Sequence, residues 1–234
     1  MSSLNRRAIL IGASPNANPI PSVYSDVARW SAFLLSSPGG AWREEEIVQL
    51  TDCDRNALRN AVSTSAGVHY SLVVFAGYGK LVKGKLPWDE AQVTLRNGDS
   101  VAERELNPGT PSCTLIFDCW ASVIEERGAD SSERGNPRDL DRDSAKYRAL
   151  YDQSVMAAES GLAKVYALAQ DGVAAPNETF SQHLLAIASR WAADNHGVLS
   201  LQEGVSLAAE ARSNQRVEYH GGRRLRHFPL AVRI

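Results

Sequence analysis

The stretch that decides the fold is LIFDCWAS, Leu115–Ser122, taken together with LVVFAGYG, Leu72–Gly79. Each opens as an uninterrupted apolar run, the composition of a strand buried on both faces of a parallel sheet. Each closes on residues with chemical capacity: Tyr78 between Gly77 and Gly79 in one, Asp118-Cys119-Trp120 in the other. In open α/β sheets ligands bind beyond the carboxyl ends of the strands. The residues that end these two runs are therefore the first candidates for function.

Further strands read from the chain on either side. Ala8–Gly12 is a short apolar run closed by glycine, Ile47–Leu50 and Lys164–Gln170 are similar, and Phe228–Ile234 ends the chain. Between them lie helical spacings. Val23, Val27, Trp30, Phe33 and Leu34 place a helix over Ser22–Ser37, stopped by Pro38-Gly39-Gly40. Asp54 is positioned to cap a short helix to Val62. Phe180, Leu184, Leu185, Ala188 and Trp191 define an amphipathic helix over Thr179–Asp194, and Leu201–Arg212 reads as another. Asn97-Gly98-Asp99 after Val93–Leu95 predicts a hairpin, because Asn-Gly accepts the positive φ angles of a tight turn. Strands alternating with helices imply an α/β fold, a mainly parallel sheet with helices on both faces.

One compositional break interrupts this pattern. Glu125–Arg148 has almost no apolar residues and mixes both charge signs. Such a stretch buries too little surface to offset its ordering entropy, so it reads as an exposed polar linker. The expected organisation is a single domain over residues 1–234, with a larger part to 122, a linker over 123–148 and a smaller part from 149.

The bulk properties exclude several functions. The chain has 234 residues, 44% of them hydrophobic, enough for one substantial core. A net charge of −2 gives no global basic footprint for nucleic acid. No apolar run approaches the ~20 residues of a membrane span, and AILIG reads as a core strand rather than a leader, so a cytoplasmic protein is expected. The three cysteines, Cys53, Cys113 and Cys119, show no disulfide framework. The five histidines are scattered without metal-ligand spacing, so neither a metal nor another cofactor is expected.

The motifs were weighed against plain structural roles. Gly79-Lys80 invites a phosphate-loop reading, which fails because Val74 and Leu81 stand where glycine and a hydroxyl are required. The glycines instead suit a sharp turn at the end of the strand. Strand alternation puts Cys113, Leu115, Phe117 and Cys119 on one face, which favours a packed Cys119. Asp118 suits a helix cap or a backbone acceptor as well as a binding role, and Asp171-Gly172 suits a turn as well as a specificity site. His69 starts its strand and so lies at the wrong edge of the sheet, while His183 is expected on the surface of its helix.

On these residues the chain resembles the caspase and metacaspase superfamily, in particular its short bacterial members. In that family one strand ends in a small-Gly-His-Gly turn that supplies the histidine; here it reads Ala76-Gly77-Tyr78-Gly79. A later strand ends in a short Asp-x-Cys or Gln-Ala-Cys motif that supplies the nucleophile; here it reads Asp118-Cys119-Trp120. The resemblance covers nearly the whole chain and implies a three-layer caspase-like sandwich. It also implies a degenerate dyad, with Tyr78 at the histidine position and Trp120 at the cysteine position. The family's reaction needs a thiolate made nucleophilic by an imidazole. An indole supplies no nucleophile, and a phenol with a pKa near 10 is a poor base for a thiol.

The expected function is that of a catalytically inactive caspase-like pseudoprotease. It would bind a protein partner, such as an active caspase-like protease or the product of a neighbouring gene, in the anti-phage or cell-suicide setting of bacterial relatives. Gly77, Gly79, Asp118 and Asp171 are the expected binding residues. The resemblance also implies a specificity pocket near the Ser14–Ser22 loop and Asp171. Phe228, Leu230 and Val232 are the expected interface, on an exposed last strand that could pair with a second copy. Two alternatives stay open: a working cysteine endopeptidase that uses Cys119 as nucleophile, and a non-protease α/β ligand-binding domain. The run HGGRRLRHF, His220–Phe228, reads equally as a solvated edge or a docking surface.

Overall fold

The computed structural model describes residues 4–14, 22–83, 89–120, 143–169, 179–210 and 215–234, with the backbone alone at Lys83, Asp89, Trp120, Ala169 and Gln215. The main sheet is built from β1 (Arg6–Ala13), β2 (Ile47–Thr51), β3 (Tyr70–Lys83), β6 (Ser112–Trp120), β7 (Gly161–Ala169) and β9 (Gln215–His220), in the order β2-β1-β3-β6-β7-β9. The first five strands run parallel and β9 is antiparallel to β7. The hairpin β4 (Asp89–Thr94) and β5 (Ser100–Ala102) extends from the far end of β3. A separate antiparallel pair joins β8 (Gly197–Ser200) to β10 (Pro229–Arg233).

The period of two along each strand sorts the core into two faces. Ala8, Leu10, Tyr70, Leu72, Val74, Ile116 and Val165 face one way, against α1 (Ser22–Leu35), α3 (Ser144–Ala157), α4 (Phe180–Asp194), α5 (Leu201–Glu210) and the β8/β10 pair. Ile9, Ile11, Val73, Phe75, Leu115, Phe117 and Cys119 face the other way, against Leu58 and Ala61 of α2 (Arg55–Thr64) and the hairpin. The strands are buried on both faces, which explains why they read as continuous apolar runs.

Local signals account for the helix boundaries. Asp54 caps α2, accepting from the Ala57 amide at 2.7 Å, and Thr179 caps α4 through the Gln182 amide at 3.2 Å. After α1 the chain reverses at Gly39, where a Cβ would lie 1.8 Å from the Phe33 carbonyl oxygen, and at Gly40, whose φ is +100°.

Four expectations need correction. The polar stretch does not extend to Arg148, because Ser144–Arg148 already belongs to α3. Two charged residues of α3 are drawn inward, Asp152 being buried and Arg148 paired with Glu46. The glycines at 77 and 79 do not turn the chain. The strand β3 runs on to Lys83, because from Gly79 onward it pairs with β4. The last strand is not an exposed edge. Phe228, Leu230 and Val232 are buried core residues, since β10 pairs with β8 beneath the helices. The terminal strand of the main sheet on that side is β9. Finally, His183 on α4 is half-buried rather than on the surface.

A buried ionic cluster ties α3 to the start of the sheet. Arg6, with a fully buried side chain, donates to Asp152 Oδ1 at 2.8 Å and to the Gly40 carbonyl at 2.7 Å. Its guanidinium lies 4.3 Å from the centre of the Trp42 ring and 5.0 Å from that of Tyr151. Glu46 approaches the same guanidinium at 3.5 Å.

Candidate functional site

The register of β3 against β6 places Tyr78 directly opposite Trp120, with Gly77 opposite Cys119 and Ala76 opposite Asp118. Neighbouring strands lie about 4.8 Å apart, so the two residues that stand where a dyad is expected are adjacent along the backbone at the carboxyl edge of the sheet. Tyr78 is half-buried.

Close packing explains the glycines on either side of Tyr78. A Cβ on Gly77 would lie 2.4 Å from the Ala13 carbonyl oxygen of β1, and one on Gly79 would lie 2.6 Å from Cys119 Sγ. The sulfur of Cys119 is therefore covered by the Gly79 backbone. A testable consequence is that Gly79→Ala lowers stability by roughly 1–3 kcal/mol through overpacking. Adding Cys119→Ala should recover part of that loss. Additive destabilisation in a urea-unfolding double-mutant cycle would contradict this packing.

Cys119 is fully buried in the apolar face with Phe75, Phe117 and Val93. Burial pushes its thiol well above the ordinary cysteine range, and the neighbouring Asp118 charge adds to the effect. A thiol in that setting is neither exposed nor ionised, so the nucleophile role weighed for Cys119 finds no support. His69 directly precedes β3, at the opposite edge of the sheet.

Alternation sends Asp118 to the other face, beneath α1 and α4. It is buried, and its Oδ2 accepts from the Ser181 amide at 2.7 Å, in the first turn of α4. Sequence reading did not single out its neighbour, Asp26. This residue lies on the buried side of α1, and its Oδ1 accepts from Thr179 Oγ1 at 2.8 Å. Two buried carboxylates thus converge on one helix N-terminus, which favours negative charge there. The partly exposed Arg29 lies 3.8 Å from Asp26 Oδ1. Burial, then the charge of Asp118, push the Asp26 carboxyl up from 3.8 to about 7. The signal for Asp26 was present in the sequence as a lone acid on the apolar stripe of α1, between Val23 and Val27.

At the neighbouring strand end, Asp52 has a φ of +52°, a strained position for a residue other than glycine. It accepts from the Ser14 amide at 3.3 Å and from the Tyr24 hydroxyl at 2.7 Å, and lies 3.6 Å from Arg96 of the β4–β5 hairpin. The cluster pins the start of α1 and the hairpin to the same edge. Asp171 lies outside the described residues, as does most of the Ser14–Ser22 loop.

Among the described residues there is no group of three or more His, Cys, Asp or Glu side chains able to hold a metal ion. Among the same residues no helix is long and apolar enough to cross a membrane.

No protein-family model matches the chain, and no curated protein matches it. Solved structures do. Protein GSU0716 from Geobacter sulfurreducens superposes with a TM-score of 0.58 at 12% identity, covering 98% of this chain and 100% of that one. The structure of pro-sf-caspase-1 superposes with a TM-score of 0.51 at 9% identity, covering 92% of this chain and 91% of that one. The chain has a caspase-like α/β fold, a mainly parallel central sheet in a three-layer sandwich.

Proposed function

We propose that this protein is a caspase-like pseudoprotease that holds a basic segment of a partner protein at the carboxyl edge of its sheet and does not cut it. One observation carries the reading: Asp26 and Asp118 bring two buried carboxylates to the first turn of α4, where the charge of Asp118 helps to push the Asp26 carboxyl up. Buried charges are ordinarily paired. An arginine or lysine from a partner would add a full counter-charge between the two acids, entering as the first turn of α4 gives up its hydrogen bonds to them. The absence of cutting rests on chemistry. Cys119 is buried beneath Gly79, and the positions expected to hold imidazole and thiol carry Tyr78 and Trp120. Phenol and indole do not make a thiolate mechanism. The partner class follows the resemblance: an active caspase-like protease, or the product of a neighbouring gene, in anti-phage defence or cell suicide.

The test is fluorescence anisotropy with short peptides carrying a central arginine, against the same peptides with glutamine in its place. The arginine peptides should bind at least roughly tenfold more tightly, and Asp118→Asn should remove that preference. Equal binding of both peptides, or a preference that Asp118→Asn leaves intact, would overturn the reading.

The reading also fixes a pH dependence. Below pH 7 Asp26 keeps its proton, and a cationic ligand must displace it. Affinity for the arginine peptide should therefore rise by about tenfold in all between pH 6 and pH 8 and level off above pH 7. It should become flat in the Asp26→Asn variant. An unchanged slope in that variant would remove Asp26 from the site.

A further inference from the structure

A second surface lies at the opposite, amino edge of the sheet. The turn between β9 and β10 carries Arg223-Arg224-Leu225-Arg226, and Leu225 is 94% exposed. A single exposed leucine is ordinary, but this one is held out on a fixed turn. Gly222 takes a φ of +67°. Arg224 donates to the carbonyls of Glu159 and Gly221, at 2.6 Å for the latter, and its guanidinium lies 4.5 Å from the Phe228 ring centre. The Arg226 amide donates to Glu159 Oε2 at 3.0 Å. Leu225 therefore projects with little conformational freedom left to lose, with the exposed Arg223 and Arg226 on either side.

The residues flanking Glu159, Ala158 and Ser160, line an open cavity of about 220 Å³ whose other walls are partly apolar, at Leu4, Val155 and Met156, and partly polar, at His69 and Ser112. Met156, at its rim, is 58% exposed. A cavity of roughly 150 Å³ already accepts a benzene-sized group, so by size this one has room for an isobutyl side chain against its apolar walls. The cavity sits at the C-terminal end of α3, where the last carbonyls carry partial negative charge and Glu159 adds a full one. Its surroundings thus suit a leucine flanked by arginines. Projection and cavity lie side by side on one face, joined through Glu159. That is the layout of a self-complementary, two-fold interface, in which each copy supplies both parts.

We propose that two copies of this chain associate through this edge, with Leu225 of each seated in the cavity of the other. The inference is independent of the acidic pair at the carboxyl edge. The test is sedimentation velocity of the full chain over a range of concentrations. Monomer and dimer should interconvert, and Leu225→Asp should weaken the dimer at least roughly tenfold. Because Leu225 is exposed, that variant should keep the parent's melting temperature at concentrations where the parent is monomeric. Leu225→Met should retain the dimer.

Site-specific oxidation supplies a second readout. In a Cys53→Ser background, a Leu225→Cys chain mixed with a Ser160→Cys chain should give a disulfide-linked heterodimer. Three results would overturn the proposal: a chain that stays monomeric at its highest soluble concentration, a dimer that Leu225→Asp leaves intact, or a dimer without the disulfide. The second would assign association to another surface, such as the outer edge of β9. Unchanged arginine-peptide binding in Leu225→Asp would show the two sites to be separate.

Discussion

Replacing Arg6 with methionine is expected to lower the unfolding free energy by up to roughly 3–5 kcal/mol, because it takes the closest counter-charge from a buried carboxylate and leaves it only Arg148, 3.9 Å from its other oxygen. Asp152 Oδ1 and the Gly40 carbonyl both lose their donor, and Trp42 loses the cation over its ring. Desolvation already strains the pair. Burial pulls the Arg6 guanidinium down and pushes the Asp152 carboxyl up, in each case as the largest effect. The cluster is therefore costly to break but adds little net stability over an apolar replacement. The double variant Arg6→Met, Asp152→Leu should recover most of the loss, to within about 1–2 kcal/mol of the parent. Urea unfolding of the two single variants and the double variant checks this. A small effect of Arg6→Met alone would mean that Arg148 suffices as the counter-charge of Asp152.

Replacing Asp26 with asparagine is expected to do the reverse and stabilise the protein at pH 7 to 8, by roughly 1–3 kcal/mol. The unfolded carboxyl loses its proton near 3.8, whereas the folded one keeps it to about 7. Between those values the folded state binds more protons. The stability contributed by this group is complete below about pH 4 and is lost as the pH rises through 7. Burial is the main cause, followed by the Asp118 charge, while hydrogen bonds from Thr179 and Gln182 and the charge of Arg29 act against them. Asparagine keeps the acceptor for Thr179 and removes the charge. Thermal or urea unfolding between pH 4 and pH 8 should show the Asp26 slope in the parent and a flatter profile in the variant. A group that costs stability at neutral pH is what a binding site leaves uncompensated until its ligand arrives.

Much of the fold could be read from the sequence because its strands are buried on both sides and its helices are bounded by strong signals. The runs ending at Gly79 and Trp120, the cap at Asp54 and the Asn97-Gly98 hairpin each carry a local physical cause that tertiary contacts reinforce. The failures share a different cause. The helix α3 was hidden because its buried face includes Asp152 as well as Tyr147, Tyr151 and Val155, so charge masked the apolar period. The strand β9 carries a visible alternation at Val217 and Tyr219 that was passed over between two polar segments. The burial of Phe228, Leu230 and Val232 depends on pairing with β8, a four-residue strand too short to announce itself. At the site, the packing of Cys119 follows from strand parity, whereas the adjacency of Tyr78 and Trp120 is implied only by the family resemblance. Asp26 did not, because its partner Asp118 lies far away in sequence and only the docking of α1 and α4 brings the two acids to one place.

The most direct test of this account is mass spectrometry of an arginine-containing peptide incubated with the full chain, run beside an anisotropy titration of the same peptide. The account predicts saturable binding that depends on Asp118, with the peptide mass unchanged after prolonged incubation. A peptide cleaved after its arginine, with cleavage abolished by Cys119→Ala, would contradict it.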